Sequence, residues 1–304
     1  MAAPTRPPLA DLHRHLDGSL RPETLSQLAA PLGVAIPDDL PFRPGMGLEA
    51  ALERFRVTLA VLQTPAAVRR VAAEICEDAA GEGIGTLEIR FAPQLHGGAA
   101  LEEIVEAAVD GAAGRAGILL CALYGEPPSL VLRLVEAART RPGVTGIDLA
   151  GGPDSGQRFV LEDYAPAFAR ARDLGIGRTV HAGEGRPPAE IRAAIERLGA
   201  QRIGHGTTLL DDPAVVDLVL ARGIVIEACP TSNVHTGSIP SVADHPLPRW
   251  LERGVAACIC TDNTLLSAVD LPGEIERAAR IPGMTGPLLA RALEHGRRAA
   301  FRRA

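Results

Sequence analysis

Five short segments hold most of the residues that can bind a metal or move a proton. They are His13-Arg14-His15-Leu16-Asp17-Gly18-Ser19, His181-Ala182-Gly183-Glu184, Gly204-His205-Gly206, Cys229-Pro230-Thr231-Ser232-Asn233 and Thr261-Asp262-Asn263. His13 and His15 stand two apart, so on a strand both project from one face and can share one ion. Such a pair alone is commonly two surface or capping histidines. With His181 as a third nitrogen and Asp262 as a carboxylate, the set suits Zn²⁺, or another first-row divalent ion, with room for water. An ion held this way lowers the pKa of its water from about 15.7 to about 7. Glu184 and His205 are the titratable groups left over, and they suit a proton relay. A Glu three residues beyond a ligand His, in a glycine-containing turn, can reach a substrate beside the metal, but it must hold a proton to give one. The competing role for Glu184 is an acid at a helix N-terminus, favoured by the dipole. His96, His235, His245 and His295 read as structural residues, with His235 and His96 the better placed of these to line a pocket.

The elements around these segments alternate between two periods. Eight stretches read as strands: Leu9–His15, Thr86–Ala92, Gly117–Tyr124, Thr145–Ala150, Arg178–Ala182, Arg202–His205, Ile224–Cys229 and Val255–Thr261. Helical patterns lie between them, including Pro127–Arg139, Glu162–Leu174, Pro188–Leu198 and Pro213–Arg222. Gly175, Gly199, Gly223 and Gly254 each sit where a helix must stop before the next strand. Eight strands alternating with helices predict a (β/α)₈ TIM barrel spanning residues 1–304 as one domain. A doubly wound sheet would normally carry a glycine-rich fingerprint after its first strand, and none follows Leu9–His15. The segment from Pro22 to Ala80 is long for one βα unit and predicts extra helices after strand 1, most clearly Leu48–Val61 and Thr64–Ala80. In a barrel, the strand carboxyl ends hold the active site, and His13, His15, His181 and His205 all fall there.

Composition removes several chemistries. The chain has 304 residues and no lysine; all 31 basic residues are Arg. Schiff-base catalysis, a Walker-type lysine and a carbamylated-lysine metal bridge are therefore excluded. A net charge of −6, scattered arginines and 3% aromatics leave no surface suited to nucleic acid. The cysteines Cys76, Cys121, Cys229, Cys258 and Cys260 form no C-x-x-C pair and read as small buried hydrophobes rather than disulfides or zinc thiolates. No apolar run approaches the ~20 residues of a membrane span, and Met1 to Leu9 lacks a signal-peptide apolar region. These features predict a soluble cytoplasmic protein without a membrane partner.

Taken in order, Asp11-Leu12-His13-Arg14-His15-Leu16-Asp17-Gly18-Ser19-Leu20-Arg21-Pro22-Glu23-Thr24, Asp148-Leu149-Ala150-Gly151, His181-Ala182-Gly183-Glu184, Arg202-Ile203-Gly204-His205-Gly206, Cys229-Pro230-Thr231-Ser232-Asn233 and Thr261-Asp262 resemble the adenosine deaminase family. The resemblance runs from strand 1 to the end of strand 8. It implies a barrel with one zinc ion per chain that hydrolyses a 6-aminopurine nucleoside to its 6-oxo product and ammonia. It implies further that His13, His15, His181 and Asp262 hold zinc and that Glu184 protonates purine N1. His205 would orient and deprotonate the attacking water. Gly151 would donate its N–H to N3, and Asp17 would meet the ribose hydroxyls, with His15 and Asn263 also facing substrate. The H-x-E and P-C-x-x-C motifs of the cytidine-type zinc deaminases are absent.

Three departures from the family pattern stand out. Asn263 replaces a common second acid, and its amide can donate to N7 where a carboxyl must first be protonated. Gly151 is followed by Gly152-Pro153 rather than acids, and the stretch from Pro93 to Leu101 is short. Together with the small Ala51, these predict a more open ribose end. Adenosine or 2′-deoxyadenosine is the expected substrate, and the open end raises aminodeoxyfutalosine, a 5′-substituted nucleoside, as the alternative.

Overall fold

The computed structural model describes residues 7–153 and 156–302. Its centre is one eight-stranded parallel sheet in sequential order: β1 (Leu9–His15), β2 (Ile84–Phe91), β3 (Gly117–Leu123), β4 (Val144–Ala150), β5 (Gly177–Ala182), β6 (Arg202–His205), β7 (Val225–Ala228) and β8 (Ala256–Ile259). The seam between β8 and β1 is closed just beyond β8. A parallel bridge joins Arg14 to Asp262. The Asp262 N–H donates to the His13 carbonyl at 2.8 Å, and the His15 N–H donates to the Asp262 carbonyl at 2.7 Å. The result is the expected TIM barrel.

Helices alternate with the strands. Between β1 and β2 lie α1 (Pro22–Leu32), α2 (Leu48–Val61) and α3 (Pro65–Gly81), which are the extra helices expected after strand 1. Then come α4 (Leu101–Ala112), α5 (Pro128–Arg139), α6 (Ala165–Asp173), α7 (Ala189–Arg197), α8 (Pro213–Arg222), α9 (Pro230–His235), α10 (Leu247–Glu252), α11 (Leu271–Ala279) and α12 (Gly286–Ala299). Many of them carry Pro in the first turn, where a missing N–H costs nothing. Gly175, Gly223 and Gly254 take φ of +69°, +61° and +87°, as chain reversal after a helix requires. The predicted helix 162–174 divides into a 3₁₀ turn, Leu161–Tyr164, and α6; Pro166 in the first turn of α6 has no N–H to carry the earlier turn onward. The residues after β7 wind into the short helix α9 behind Pro230. All five cysteines are buried free thiols. No described helix is long and apolar enough to cross a membrane.

The barrel interior is ionic as well as apolar. Arg90 on β2 is fully buried and donates to Asp148 Oδ2 at 2.9 Å, Glu227 Oε2 at 2.8 Å and the Leu12 carbonyl at 2.6 Å. Thr179 Oγ1 donates to Glu227 Oε1 at 3.0 Å. Nearer the strand amino ends, Arg202 pairs with Glu88. Phe301 lies 3.7 Å over the Arg202 guanidinium, and its N–H donates to Glu88 Oε1 at 2.6 Å. This plug depends on Gly177, where an added Cβ would come within 2.2 Å of the Phe301 ring. Gly177→Ala is expected to displace Phe301 and cost about 1–3 kcal/mol by overpacking, read as a lower midpoint in urea unfolding. An unchanged midpoint would mean that Phe301 contributes nothing to the closure of that end.

Candidate active site and metal centre

The strand periodicity does what the H-x-H spacing requires. His13 and His15 both point inward, with their Nε2 atoms 3.3 Å apart. One ligand atom from each of His13, His15 and His181 lies within 4.8 Å of the other two. Asp262 Oδ1 is 3.6 Å from His13 Nε2 and 3.4 Å from His15 Nε2. The outer ring nitrogens are occupied by buried carboxylates. His13 Nδ1 meets Glu227 Oε2 at 2.8 Å, and His181 Nδ1 meets Asp148 at 3.1 Å. Each carboxylate orients its ring so that Nε2 faces the cluster, which is the support a metal-ligating histidine needs. Glycine at 204 permits the packing, since a Cβ there would sit 3.1 Å from His13 Cε1. The donor set therefore fits a divalent ion. A second cluster of His13, Asp262 and Cys229 overlaps the first. Burial pushes the Cys229 thiol well above its ordinary value, which makes it a poorer ligand than the imidazoles.

The electrostatics follow from burial. Desolvation holds His13 and His15 well below the usual imidazole range, with neighbouring positive groups adding to it. Burial also opposes a charge on His181, but Asp148 outweighs it and raises that ring. Asp262 is raised by burial even though Ser232 Oγ donates to its Oδ2 at 2.6 Å. Two of these residues sit in strained backbone. His205 and Asp262 take φ of +66° and +64°, conformations that cost a non-glycine residue of order 1–3 kcal/mol and cluster at functional sites.

Glu184 and His205 are both buried and share one partner. The Asn233 amide nitrogen lies 3.0 Å from His205 Nδ1 and 3.4 Å from Glu184 Oε1. Thr236 Oγ1 donates to the same Oε1 at 2.9 Å. Glu184, His205 and Thr236 border a small cavity of about 60 Å³ lined also by Gly151, Asn263, Phe42 and Phe55. A second, largely apolar cavity of about 220 Å³ adjoins it through His15, Phe55, Leu52 and Gly151, and reaches Asp17, Leu95 and Cys121. Burial lifts the Asp17 carboxyl to about 7, and its Oδ1 is buried without a hydrogen-bond partner. Asn263 Oδ1 is likewise unpartnered. Leu48, Leu52 and Phe55 of α2 supply the bulk that Ala51 lacks.

All nine predicted site residues thus meet at the carboxyl ends of the strands. His235 and His96 do not line either cavity. His235 is buried near Ser267 and packs against Phe42, and His96 Nδ1 bonds the Leu62 carbonyl. Motif and spacing in the sequence do not mark Arg90, Glu227 and Thr236 as part of the site. The available signal was a charged residue at an inward position of an otherwise apolar strand, such as Arg90 in Ile89-Arg90-Phe91 and Glu227 in Ile226-Glu227-Ala228.

The family model for adenosine deaminase matches residues 8–304. The chain belongs to the adenosine deaminase family. Adenosine deaminase from Serratia proteamaculans is 37% identical over 98% of this chain and 95% of its own length. The adenosine deaminase of Erwinia tasmaniensis is 36% identical over 97% and 94%. Among solved structures, the adenine deaminase of Arthrobacter aurescens superposes with a TM-score of 0.87 at 27% identity, covering 98% of this chain and 94% of that one. The N6-methyl-AMP deaminase of Arabidopsis thaliana gives 0.84 at 25% identity, covering 97% and 92%. Adenosine deaminases thus match this chain in sequence, and solved adenine and N6-methyl-AMP deaminases match its barrel, over nearly its whole length.

Proposed function

We propose that this chain, acting as a single barrel domain, hydrolyses the 6-amino group of adenosine or 2′-deoxyadenosine, giving inosine or deoxyinosine and ammonia. The observation that carries the reading is a buried carboxyl and a buried imidazole, both bonded to one amide, beside three histidines and an aspartate, in a chain of the adenosine deaminase family. His13, His15, His181 and Asp262 would hold one Zn²⁺. That ion supplies Lewis-acid activation of the attacking water.

The residues of the chain do the rest. Purine C6 is a poor electrophile until N1 accepts a proton. Glu184 Oε1 already accepts from Thr236 and Asn233, so the proton of its carboxyl form sits on Oε2, the oxygen left for N1. The water oxygen bonds C6; one water proton passes to the amino group, which leaves as ammonia when the C6–N bond breaks, and the other returns to the Glu184 carboxylate, so the 6-oxo product keeps the proton at N1. Gly151, at φ +75° on the cavity wall, offers its N–H to N3, and the Asn263 amide faces N7. The unpartnered Asp17 oxygen calls for a hydroxyl donor, which a ribose supplies, with His15 beside it.

Among the described residues, no arginine lines either cavity. A 5′-phosphate would therefore enter beside Asp17 without a counter-charge. AMP is expected to be turned over at least about 100-fold less efficiently than adenosine, from the cost of an unpaired charge. The deciding experiment measures kcat/KM for ammonia release from adenosine, adenine, AMP and aminodeoxyfutalosine on metal-quantified protein. Efficient adenosine turnover is expected. Poor adenosine turnover beside efficient turnover of any of the other three would overturn the reading.

A further inference from the structure

A chain of hydrogen bonds with only one consistent direction ends at His205. It begins at a backbone donor. The Leu247 N–H, at the start of α10, points at His245 Nδ1 at 3.1 Å. Nδ1 must therefore carry a lone pair, and in a neutral ring the proton then sits on Nε2. His245 Nε2 lies 3.3 Å from Asn233 Oδ1, to which it donates. The amide is thereby oriented, and its nitrogen faces His205 Nδ1 and Glu184 Oε1. A donor aimed at His205 Nδ1 requires a lone pair there, so the His205 proton resides on Nε2. Reversing the Asn233 amide would set its carbonyl against Glu184 Oε1 and leave His245 with no acceptor for its Nε2–H.

We propose that His245 is a positioning residue that, through Asn233, fixes His205 as a neutral Nε2–H donor, so that His205 holds the oxygen being added at C6 by donation and does not serve as the base that deprotonates it. The whole chain is buried: His245, Asn233, His205 and Glu184 each expose less than a tenth of their surface. Trp250 packs edge-on to His245 with ring centroids 5.2 Å apart, which keeps the ring from turning. Burial holds His245 down to about 3, so its ring does not take the second proton that would break the sequence. The same Asn233 nitrogen serves the acid and the donor, so both are aimed by one side chain. This inference rests on the proposed deamination for its meaning, but its first test needs no substrate.

Long-range ¹H–¹⁵N correlation of histidine-labelled, metal-loaded protein reads the tautomer directly, with the His205 signals assigned by their loss in His205→Gln. An unprotonated Nδ1 and a protonated Nε2 are expected; a protonated Nδ1 overturns the proposal, whatever the enzyme's activity. Kinetics supply the second test. His245→Leu frees the Asn233 amide, and kcat is expected to fall about 10–100-fold, somewhat less than for outright loss of a preorganised donor, with KM and metal content unchanged. His245→Gln keeps an N–H near the Nε2 position and is expected to restore most of kcat. A His245→Leu enzyme within twofold of wild-type kcat, or a Gln variant no better than Leu at equal folded fraction, overturns the positioning role. If His245→Leu does not fold, the tautomer measurement on the unmodified protein still decides. Failure of adenosine turnover in the unmodified enzyme would instead count against the proposed function alone.

Discussion

Glu184→Gln folds, keeps its metal and loses about 10²–10⁴-fold in kcat, the usual worth of a positioned proton donor. The substitution keeps the volume and the Oε1 acceptor that Thr236 and Asn233 use at 2.9 Å and 3.4 Å. It replaces Oε2 with an amide that can offer a hydrogen bond but cannot transfer its proton to N1. The loss should appear in kcat with little change in KM, since the amide still fills the same place against the purine. Steady-state ammonia release, together with metal analysis of the same preparation, checks both halves. Near-normal turnover would remove Glu184 as the acid. A loss of metal would mean instead that the carboxylate helps to hold the ion.

The second large effect lies below the site. Arg90 is fully buried between Asp148 and Glu227, and these two carboxylates hold the Nδ1 atoms of His181 and His13. Removing the guanidinium deprives both acids of a buried cation; Glu227 then keeps Arg202, whose Nε lies 2.7 Å from its Oε1, and Asp148 keeps the His181 ring. Arg90→Met is expected to cost about 3–5 kcal/mol, the penalty of breaking a buried ion pair from one side. For a chain of this length that lowers Tm by about 10 °C. Adding Glu227→Gln to Arg90→Met removes one of the two acids that lost the guanidinium and is expected to recover part of the loss. Calorimetry of the single and double variants checks this. A Tm for Arg90→Met within two or three degrees of the parent would mean that Arg202 and the two imidazoles neutralise the carboxylates without Arg90.

All eight strands were readable from the sequence to within about two residues, because each is a short apolar run bounded by glycine or a polar cluster. The inward histidines were readable for a related reason: strand ends converge in a barrel wherever they lie in the chain. The ionic interior was not. Arg90, Asp148 and Glu227 meet across three different strands, and their partnership depends on barrel register, which periodicity along one strand does not carry. His245 reads as structural in the sequence for the same reason. Its significance comes from the Leu247 N–H and the Asn233 amide, and only the fold brings Asn233, twelve residues back, within reach. The split of helix 162–174 was missed because the 3.6 period continues through Pro166 while the hydrogen bonding does not.

The seam between β8 and β1 also bears on how the protein is made. Asp262 joins the first strand to the last through its backbone, while its side chain reaches into the histidine cluster. A polypeptide leaving the ribosome exposes His13 and His15 early, yet it cannot assemble the four proposed ligands until Asp262 has also emerged. A fragment carrying β1–β4 holds two of the four, and one carrying β5–β8 holds the other two. Neither half carries the whole proposed ligand set, so metal loading would report completed synthesis and barrel closure together, and two co-expressed halves would bind the ion as the whole does only by associating.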